Sequence, residues 1–451
     1  MILGKRILIF GFGKEGTSSA KYFGKNNQVS VFDDKPREEI PREYFRQLKV
    51  PGIKFYFKNH FPSKQNFDYL IRSPSVRPDD KRIINLASKG TIVTSTTKIF
   101  FDECPAKIIG VTGTKGKGTT ATLIFEMLKT QTKNVFLAGN IGTCALDILP
   151  RVTKSSLVVL ELSSFQLFDL KMSPHIAVIL MVTSEHLDWH KNTIEYQKAK
   201  EPIVSFQDRN DFAIVNYDFL ASRNFARKTR VRTYYFSVKE KTNGTYLQKD
   251  RIVSEILGFE EICSTSRILL PGKHNIQNIL AATAVAKIQK IDNKNIIQVL
   301  SSFKGLIHRL QLIREVNGIK FINDSFSTIP ETTIAAIEAF KNPKILILGG
   351  SSKKSDFTKL AKKIFQDKTV KAVILIGQEA KRIRHEIMIL GSCHVKIIEG
   401  VKNMREIVDA AFFCAKINDV VILSPACASF DMFKNYQDRG EQFIEEVLKL
   451  K

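Results

Sequence analysis

The sequence predicts an α/β protein of three successive domains, each a mostly parallel sheet covered by helices. Three observations carry that prediction. Short, near-continuous apolar runs alternate with helical patterns along the whole chain, as in sheets buried on both faces. Two glycine-rich turns each follow such a run and each open a helix. The length, 451 residues, exceeds what one hydrophobic core usually serves.

The first block covers residues 1–103. Residues 6–10 read as a strand, Gly11-Phe-Gly-Lys-Glu-Gly16 as a G-x-G-x-x-G turn, and residues 17–24 as the following helix. In that turn Gly11, Gly13 and Gly16 let backbone approach a phosphate. Residues 29–32 form a second strand that ends in Asp33-Asp34, with Lys35 next, where an acid meets a ribose in dinucleotide-binding folds. Such Rossmann-like turns also bind other phosphate-bearing ligands, so nicotinamide and other nucleotides both stay open on the residues alone. Residues 69–72 read as a strand whose end, Ser73-Pro-Ser75, lies where ligands gather in open sheets.

The second block, 104–305, holds the most informative stretch, Lys107-Ile-Ile-Gly-Val-Thr-Gly-Thr-Lys-Gly-Lys-Gly-Thr-Thr120. A β-branched run gives way to a loop of Gly113, Thr114, Lys115 and Gly116, and residues 119–128 read as a helix. Strand, glycine loop and helix start together aim several N–H groups at one point, which suits a polyphosphate, and Lys117 adds a charge for its outer phosphates. The spacing departs from the strict P-loop form: Val111 stands at the first glycine. Gly118 follows the lysine where a hydroxyl normally meets Mg²⁺, so Thr119 or Thr120 takes that place. Further strands are expected at 134–137, 157–162, 176–181 and 212–215. A β-rich stretch at 231–270 has Asn243-Gly244 as a hairpin turn, and helices follow at 275–290 and 294–303. Glu161 ends one strand beside the loop, as an Mg²⁺ ligand would. His186, in Thr183-Ser-Glu-His-Leu-Asp-Trp-His190, follows another.

The third block, 306–451, opens with a hairpin across Asn317-Gly318 between strands at 310–316 and 319–322. Strands at 345–348, 372–376, 395–398 and 420–423 alternate with helices, a second Rossmann-like sheet.

Composition is that of a globular protein, 43% hydrophobic and 25% charged. The formal charge of +24 is spread over every segment, without a like-charge block or an aromatic-interleaved basic stripe. It suits polyanionic small substrates better than nucleic acid. Cysteines 104, 144, 263, 393, 414 and 427 have no metal-ligand spacing and read as small buried residues in a reducing compartment. Charges interrupt the N-terminal apolar stretch and no cleavage pattern follows, so it reads as a first strand and not a signal peptide. No apolar run approaches the ~20 residues of a membrane span. A cytoplasmic monomer is expected.

Read together, these motifs resemble a known family. The central block is similar to the ATPase domain of the Mur ligases, ATP-dependent amide-forming enzymes of peptidoglycan precursor synthesis. Glu161-Leu-Ser-Ser-Phe-Gln-Leu167, Ser424-Pro-Ala-Cys-Ala-Ser-Phe-Asp431 and Lys434-Asn-Tyr-Gln-Asp-Arg-Gly440 resemble the branch that adds glutamate to UDP-N-acetylmuramoyl-L-alanine. The likeness runs through all three blocks in order.

The resemblance implies a division of labour. The first domain would hold the UDP moiety through the Gly11–Gly16 turn, Asp33, Asp34, Lys35 and Ser73, which displaces the nicotinamide reading. ATP would lie on residues 113–120 with Asn275, Asn278, Arg309 and Asp324, and Lys117 would meet its γ-phosphate. One Mg²⁺ would sit at Thr119 or Thr120 and Glu161. A second would meet His186 and Lys200, the latter carbamylated so that a cation becomes an anionic ligand. Asn140 would contact the muramoyl group, and Thr328, Lys353, Ser429 and Tyr436 would surround the incoming glutamate.

Three positions depart from the family pattern. Besides Gly118, Ser75 replaces a glycine in the Ser-Pro-Gly turn, and Phe326 stands where D-glutamate-adding members carry lysine. Phe326 and the extra Lys115 resemble a subgroup reported to use L-glutamate, and Lys115 is a candidate for the missing charge. D-glutamate is the expected substrate and L-glutamate the alternative. A folylpolyglutamate-type ligase would lack the first domain. A nicotinamide oxidoreductase or a non-catalytic scaffold fits fewer of the residues.

Overall fold

In a computed structural model of the protein, β1 (Arg6–Phe10) is buried at every position after its first and anchors a five-stranded sheet. The described residues are 2–270, 272–352, 355–391 and 394–451. Lys353 and Cys393 therefore lie outside them.

β2 (Gln28–Asp33), β3 (Lys54–Phe57), β4 (Tyr69–Arg72) and β5 (Ile92–Ser95) complete the first sheet, in the order β3-β2-β1-β4-β5 and parallel throughout. Chain direction across the sheet reverses between β1 and β4, so the turns after these two strands sit side by side. The helix after β1 begins at Lys14, inside the glycine turn and three residues before the expected start. β3 and β5 were not expected from sequence. Both are edge strands with at most half of their positions buried, so neither carries a continuous apolar run.

The second sheet has nine strands: β6 (Lys107–Thr112), β7 (Val135–Gly139), β8 (Leu157–Glu161), β9 (Ile176–Ile179), β10 (Phe212–Asn216), β11 (Arg232–Ser237), β12 (Thr245–Gln248), β13 (Arg251–Ser254) and β14 (Glu260–Ser264). Their order is β14-β13-β12-β11-β10-β9-β6-β8-β7. All pairs are parallel except the two that join β12, β13 and β14.

The Asn243-Gly244 hairpin is corrected here. β11 and β12 run parallel, with Phe236 opposite Thr245, so no two-residue reversal can join them. The Asn243 side chain instead accepts from the Tyr235 N–H at 3.0 Å and donates to the Thr233 carbonyl at 2.9 Å. A Cβ at Gly244 would stand 2.2 Å from the Tyr235 carbonyl oxygen. The pair lays a loop flat along β11. The reversal falls at Lys249-Asp250, where Gln248 opposes Arg251 and Lys249 takes φ 55°.

The third sheet comprises β15 (Gln311–Val316), β16 (Ile319–Asn323), β17 (Lys344–Gly349), β18 (Val370–Ile376), β19 (Lys396–Ile398) and β20 (Val420–Leu423). Its order is β15-β16-β20-β17-β18-β19, parallel except for the β15–β16 hairpin. That hairpin turns at Asn317 and Gly318, with φ 51° and 74°, as expected.

Contacts divide the chain into two compact units: Met1–Arg267 with Ile276–Leu300, and Ile268–Asn275 with Ser301–Lys451. The first unit holds the first two sheets, and one apolar cluster runs from Ile7 and Val31 through Phe100 to Val158 and Ile179. The second unit holds the third sheet, with clusters on both faces. No helix among the described residues is long and apolar enough to cross a membrane.

Candidate active site

The glycine loop follows β6, the strand between β8 and β9 in the second sheet. Gly116 caps helix Lys117–Lys129 from the left-handed region, φ 86°, and a Cβ there would lie 2.2 Å from Asn278 Oδ1. Glycine is thus required by both backbone and space. No side chain caps this helix start, the end of a helix that favours an anion. Lys117 Nζ donates to the carbonyls of Gly113 and Thr114 at 3.0 and 2.9 Å, which holds the ammonium over the loop. The Thr114 hydroxyl accepts from the Thr183 N–H at 2.9 Å and from the Tyr196 hydroxyl at 3.0 Å. Thr120 is buried with its hydroxyl on Asn278 Oδ1 at 3.3 Å, while Thr119 is half-buried.

Glu161 ends β8 level with Val111 of β6 and Gly139 of β7. One carboxylate oxygen accepts from Asn140 Nδ2 at 3.0 Å; the other is buried with no hydrogen-bond partner. An unpartnered buried carboxylate oxygen is costly, and a cation satisfies it. The described residues contain no group of three or more His, Cys, Asp or Glu that could hold a metal.

Lys200, 1% exposed, points its amine at the Tyr196 ring, 4.6 Å from its centre. Burial pushes its pKa well below the ordinary lysine value. The Lys117 charge adds to the shift, and Glu185 and Glu161 oppose it. His186 takes φ 58°, with its ring 4.8 Å from that of Phe165 and Nε2 3.8 Å from Glu185. Burial lowers the His186 pKa against the pull of Glu185 and Asp188. Lys115, exposed on the loop, pairs with Glu185. Lys117, Glu161, His186 and Lys200 thus follow the carboxyl ends of the adjacent interior strands β6, β8 and β9. The Asn140 amide, expected on substrate, orients Glu161.

At the edge of the first sheet, Gly16 packs so closely on Gly11 that a Cβ would meet the Gly11 carbonyl oxygen at 1.9 Å. Nothing lies within 4 Å of a Cβ at Gly13, so the middle of the turn is open. Ser73 Oγ donates to the Gly11 carbonyl at 2.8 Å and locks the two turns together. Asp33 accepts from the N–H groups of Phe12 at 2.6 Å and Lys35 at 2.9 Å, and Asp34 pairs with Arg82, with one bond at 3.0 Å. Asp33 therefore braces the glycine turn from within, while Asp34 is exposed and pairs with Arg82 at the surface.

Sequence reasoning passed over Glu15, although it lies within the glycine turn. Gln166 Nε2 donates to Glu15 Oε1 at 2.6 Å, and Oε2 is buried without a partner. Burial pushes this carboxyl up to about 7, against the Gln166 donor and the charges of Arg72 and Lys14. The folded-state value exceeds the unfolded one, so the stability this group contributes is full below about pH 4.5. It is lost as pH rises to about 7. Glu15→Gln is expected to flatten that slope in denaturation curves taken between about pH 4 and about pH 8. An identical slope in the variant would assign the titration to another group.

In the second unit, Asp324 follows β16 and is 4% exposed. It accepts from Ser327 and Ser424 hydroxyls at 2.5 and 2.7 Å and from the Leu310 N–H at 3.1 Å. Burial still raises its pKa to about 6. The Arg309 guanidinium lies 3.9 Å over the Phe326 ring, which meets Tyr436 edge-on at 5.0 Å. The phenyl ring at the departing position therefore supports two of the expected site residues. Arg439, fully buried, donates to Ser325, Cys427 and Ala428 and fixes the strand-end loops on which Thr328 and Ser429 lie. Asn275 and Asn278 stand three residues apart along helix Lys273–Ile288.

The family model described as "Mur ligase middle domain" matches residues 111–286, and "Mur ligase, glutamate ligase domain" matches 308–427. The chain is 39% identical to the UDP-N-acetylmuramoylalanine–D-glutamate ligase of Acetivibrio thermocellus, over 99% of this chain and 97% of that protein. It is 35% identical to the ligase of the same name from Clostridium tetani, over 100% and 98%. Among solved structures it is similar in fold to UDP-N-acetylmuramate-alanine ligase from Thermotoga maritima. The TM-score is 0.61 at 20% identity, over 99% of this chain and 100% of that one. A MurF ligase from the same organism, in complex with ADP, superposes at 0.58 with 18% identity, over 98% of each chain.

Proposed function

Since the chain belongs to the Mur ligase family, we propose that it joins D-glutamate to UDP-N-acetylmuramoyl-L-alanine at the expense of ATP. The observation that carries this reading at the site is the buried, unpartnered oxygen of Glu161 on the strand beside the phosphate loop. A folylpolyglutamate-type ligase is disfavoured by the five-stranded parallel sheet that precedes that loop.

Mg²⁺, when bound, offsets the charge gathered between the triphosphate and the attacking carboxylate. Glu161 and Thr119 suit one ion, and His186 with carbamylated Lys200 suits a second. Lys117 and the helix N–H groups hold the outer phosphates. An oxygen of the alanine carboxylate attacks the γ-phosphorus in line, the bond to the β–γ bridging oxygen breaks, and ADP leaves an acyl phosphate. The glutamate amine then attacks the acyl carbon, gives up a proton, and phosphate departs.

In the same reading the first sheet holds UDP at Gly11, Gly13, Gly16 and Ser73, with Asp33, Asp34 and Lys35 behind them. Asn275, Asn278, Arg309 and Asp324 serve ATP. Thr328, Ser429 and Tyr436 serve the glutamate, as does Lys353, which lies outside the described residues.

The test is phosphate release from ATP with the UDP-muramoyl substrate and each glutamate enantiomer in turn. Release with D-glutamate alone is expected. Release with L-glutamate alone would transfer the assignment to the other enantiomer, and release with neither would overturn it.

A further inference from the structure

The tryptophan of the sequence, the only one it contains, joins the two turns that the reaction must bring into register. The turn after β4 is held carbonyl by carbonyl. Buried Arg72 donates to the carbonyls of Ser73, Pro74 and Val76 at 3.3, 3.3 and 2.7 Å, and the Trp189 indole N–H takes the fourth, Ser75, at 2.8 Å. The Trp189 backbone N–H donates to the His186 carbonyl at 3.1 Å, one helical turn back. Phe165 stands 4.8 Å from both the Trp189 and His186 rings, so the two side chains share a wall.

Arg77, two residues beyond Ser75, clamps the arrangement from the side of the first sheet. Its guanidinium lies 4.8 Å from the Trp189 ring, donates to the Trp189 carbonyl at 2.6 Å, and pairs with Glu195 at 3.1 Å. Glu195 sits on helix Thr193–Lys198, which also carries Tyr196 and leads to Lys200. A stacked, bidentate arginine is a stiff connection.

We propose that Trp189 and Arg77 form a strut through which occupation of the Ser73–Ser75 turn by a nucleoside diphosphate sets His186 for its divalent cation. Both are positioning residues, and the inference rests on the ligase reading given above. The coupling is reciprocal: UDP tightens the cation, and the cation tightens UDP by the same factor. The strut reaches His186, which sits in a left-handed conformation, by two links: its carbonyl, which accepts from the N–H groups of Trp189 at 3.1 Å and His190 at 2.9 Å, and the Phe165 ring shared with Trp189.

The test uses the full chain with UDP, Mn²⁺ and a non-hydrolysable ATP analogue. In the wild type, UDP alone is expected to shift Trp189 emission, and to tighten Mn²⁺ by about tenfold, within the usual range of coupled sites. Trp189→Phe keeps the ring but loses the N–H, and Arg77→Lys keeps the charge but loses the fork. In each the tightening should fall to about onefold, while Mn²⁺ affinity without UDP changes little. An undiminished ratio in both variants, or no tightening in the wild type, would overturn the strut. Because glutamate turnover is measured separately, an enzyme that ligates normally yet shows no coupling disproves this inference alone.

Discussion

Replacing Lys117 by alanine is expected to lower phosphate release by at least about 10²–10³-fold, the usual cost of removing one preorganised group that meets developing charge. The expectation rests on where the ammonium already is. Two loop carbonyls, those of Gly113 and Thr114, hold Nζ at 3.0 and 2.9 Å, so it needs little reorganisation to meet a phosphate. The side chain is half-buried and fills no core position, so thermal unfolding should change little while turnover collapses. A second consequence tests the electrostatics of the site. The Lys117 charge helps depress the Lys200 amine, so the Lys200 pKa should rise in the variant. Turnover within about threefold of wild type would show that the loop binds its phosphate through backbone alone.

How much of this arrangement was legible in the sequence depends on the range of the interaction. The glycine turn between β6 and its helix, the strand ending at Glu161 and the Asn317-Gly318 turn are each written in a short local stretch, and the structure has each as a local element. Asn243-Gly244 carries the same dipeptide signal, yet forms a loop along a parallel strand, because Asn243 bonds back to Thr233 and Tyr235 of β11 and the strand that follows runs parallel to it. β3 and β5 escaped notice because edge strands are only partly buried. The family resemblance nominated site residues but gave no reason for Glu15, Arg72, Arg77 or Arg439. Their contacts, such as Arg72 with Asp169 at 2.6 Å and Arg439 with Ser325 at 2.9 Å, join positions about a hundred residues apart. A charged residue inside an apolar strand, Arg72 after Tyr69-Leu-Ile, was the one local sign that such a partner existed.

Lys200→Ala should also cost about 10²–10³-fold, with part of the loss restored by formate or acetate at high concentration. Burial of this lysine, 1% exposed, and the nearby Lys117 charge both lower its pKa and so favour the neutral amine. Its neutral amine can attack the carbon of CO₂ and lose a proton, which leaves a carbamate. The site then gains an anion at the same carboxyl end of the sheet as Glu161, where an unpartnered carboxylate oxygen already calls for a cation. Burial has a second effect, since it keeps out the water and acid that would reverse the addition. Alanine at this position leaves a space that a small carboxylate can enter and fill with the same charge. Arginine remains protonated and cannot form the adduct, so Lys200→Arg should be inactive and beyond rescue. The wild type should lose activity in rigorously bicarbonate-free buffer and regain it when bicarbonate returns. If neither variant nor buffer shows that pattern, the amine acts uncarbamylated. A neutral lysine ligand would then have to replace the second anion in the charge balance, and His186 and Glu161 would carry the cations without it.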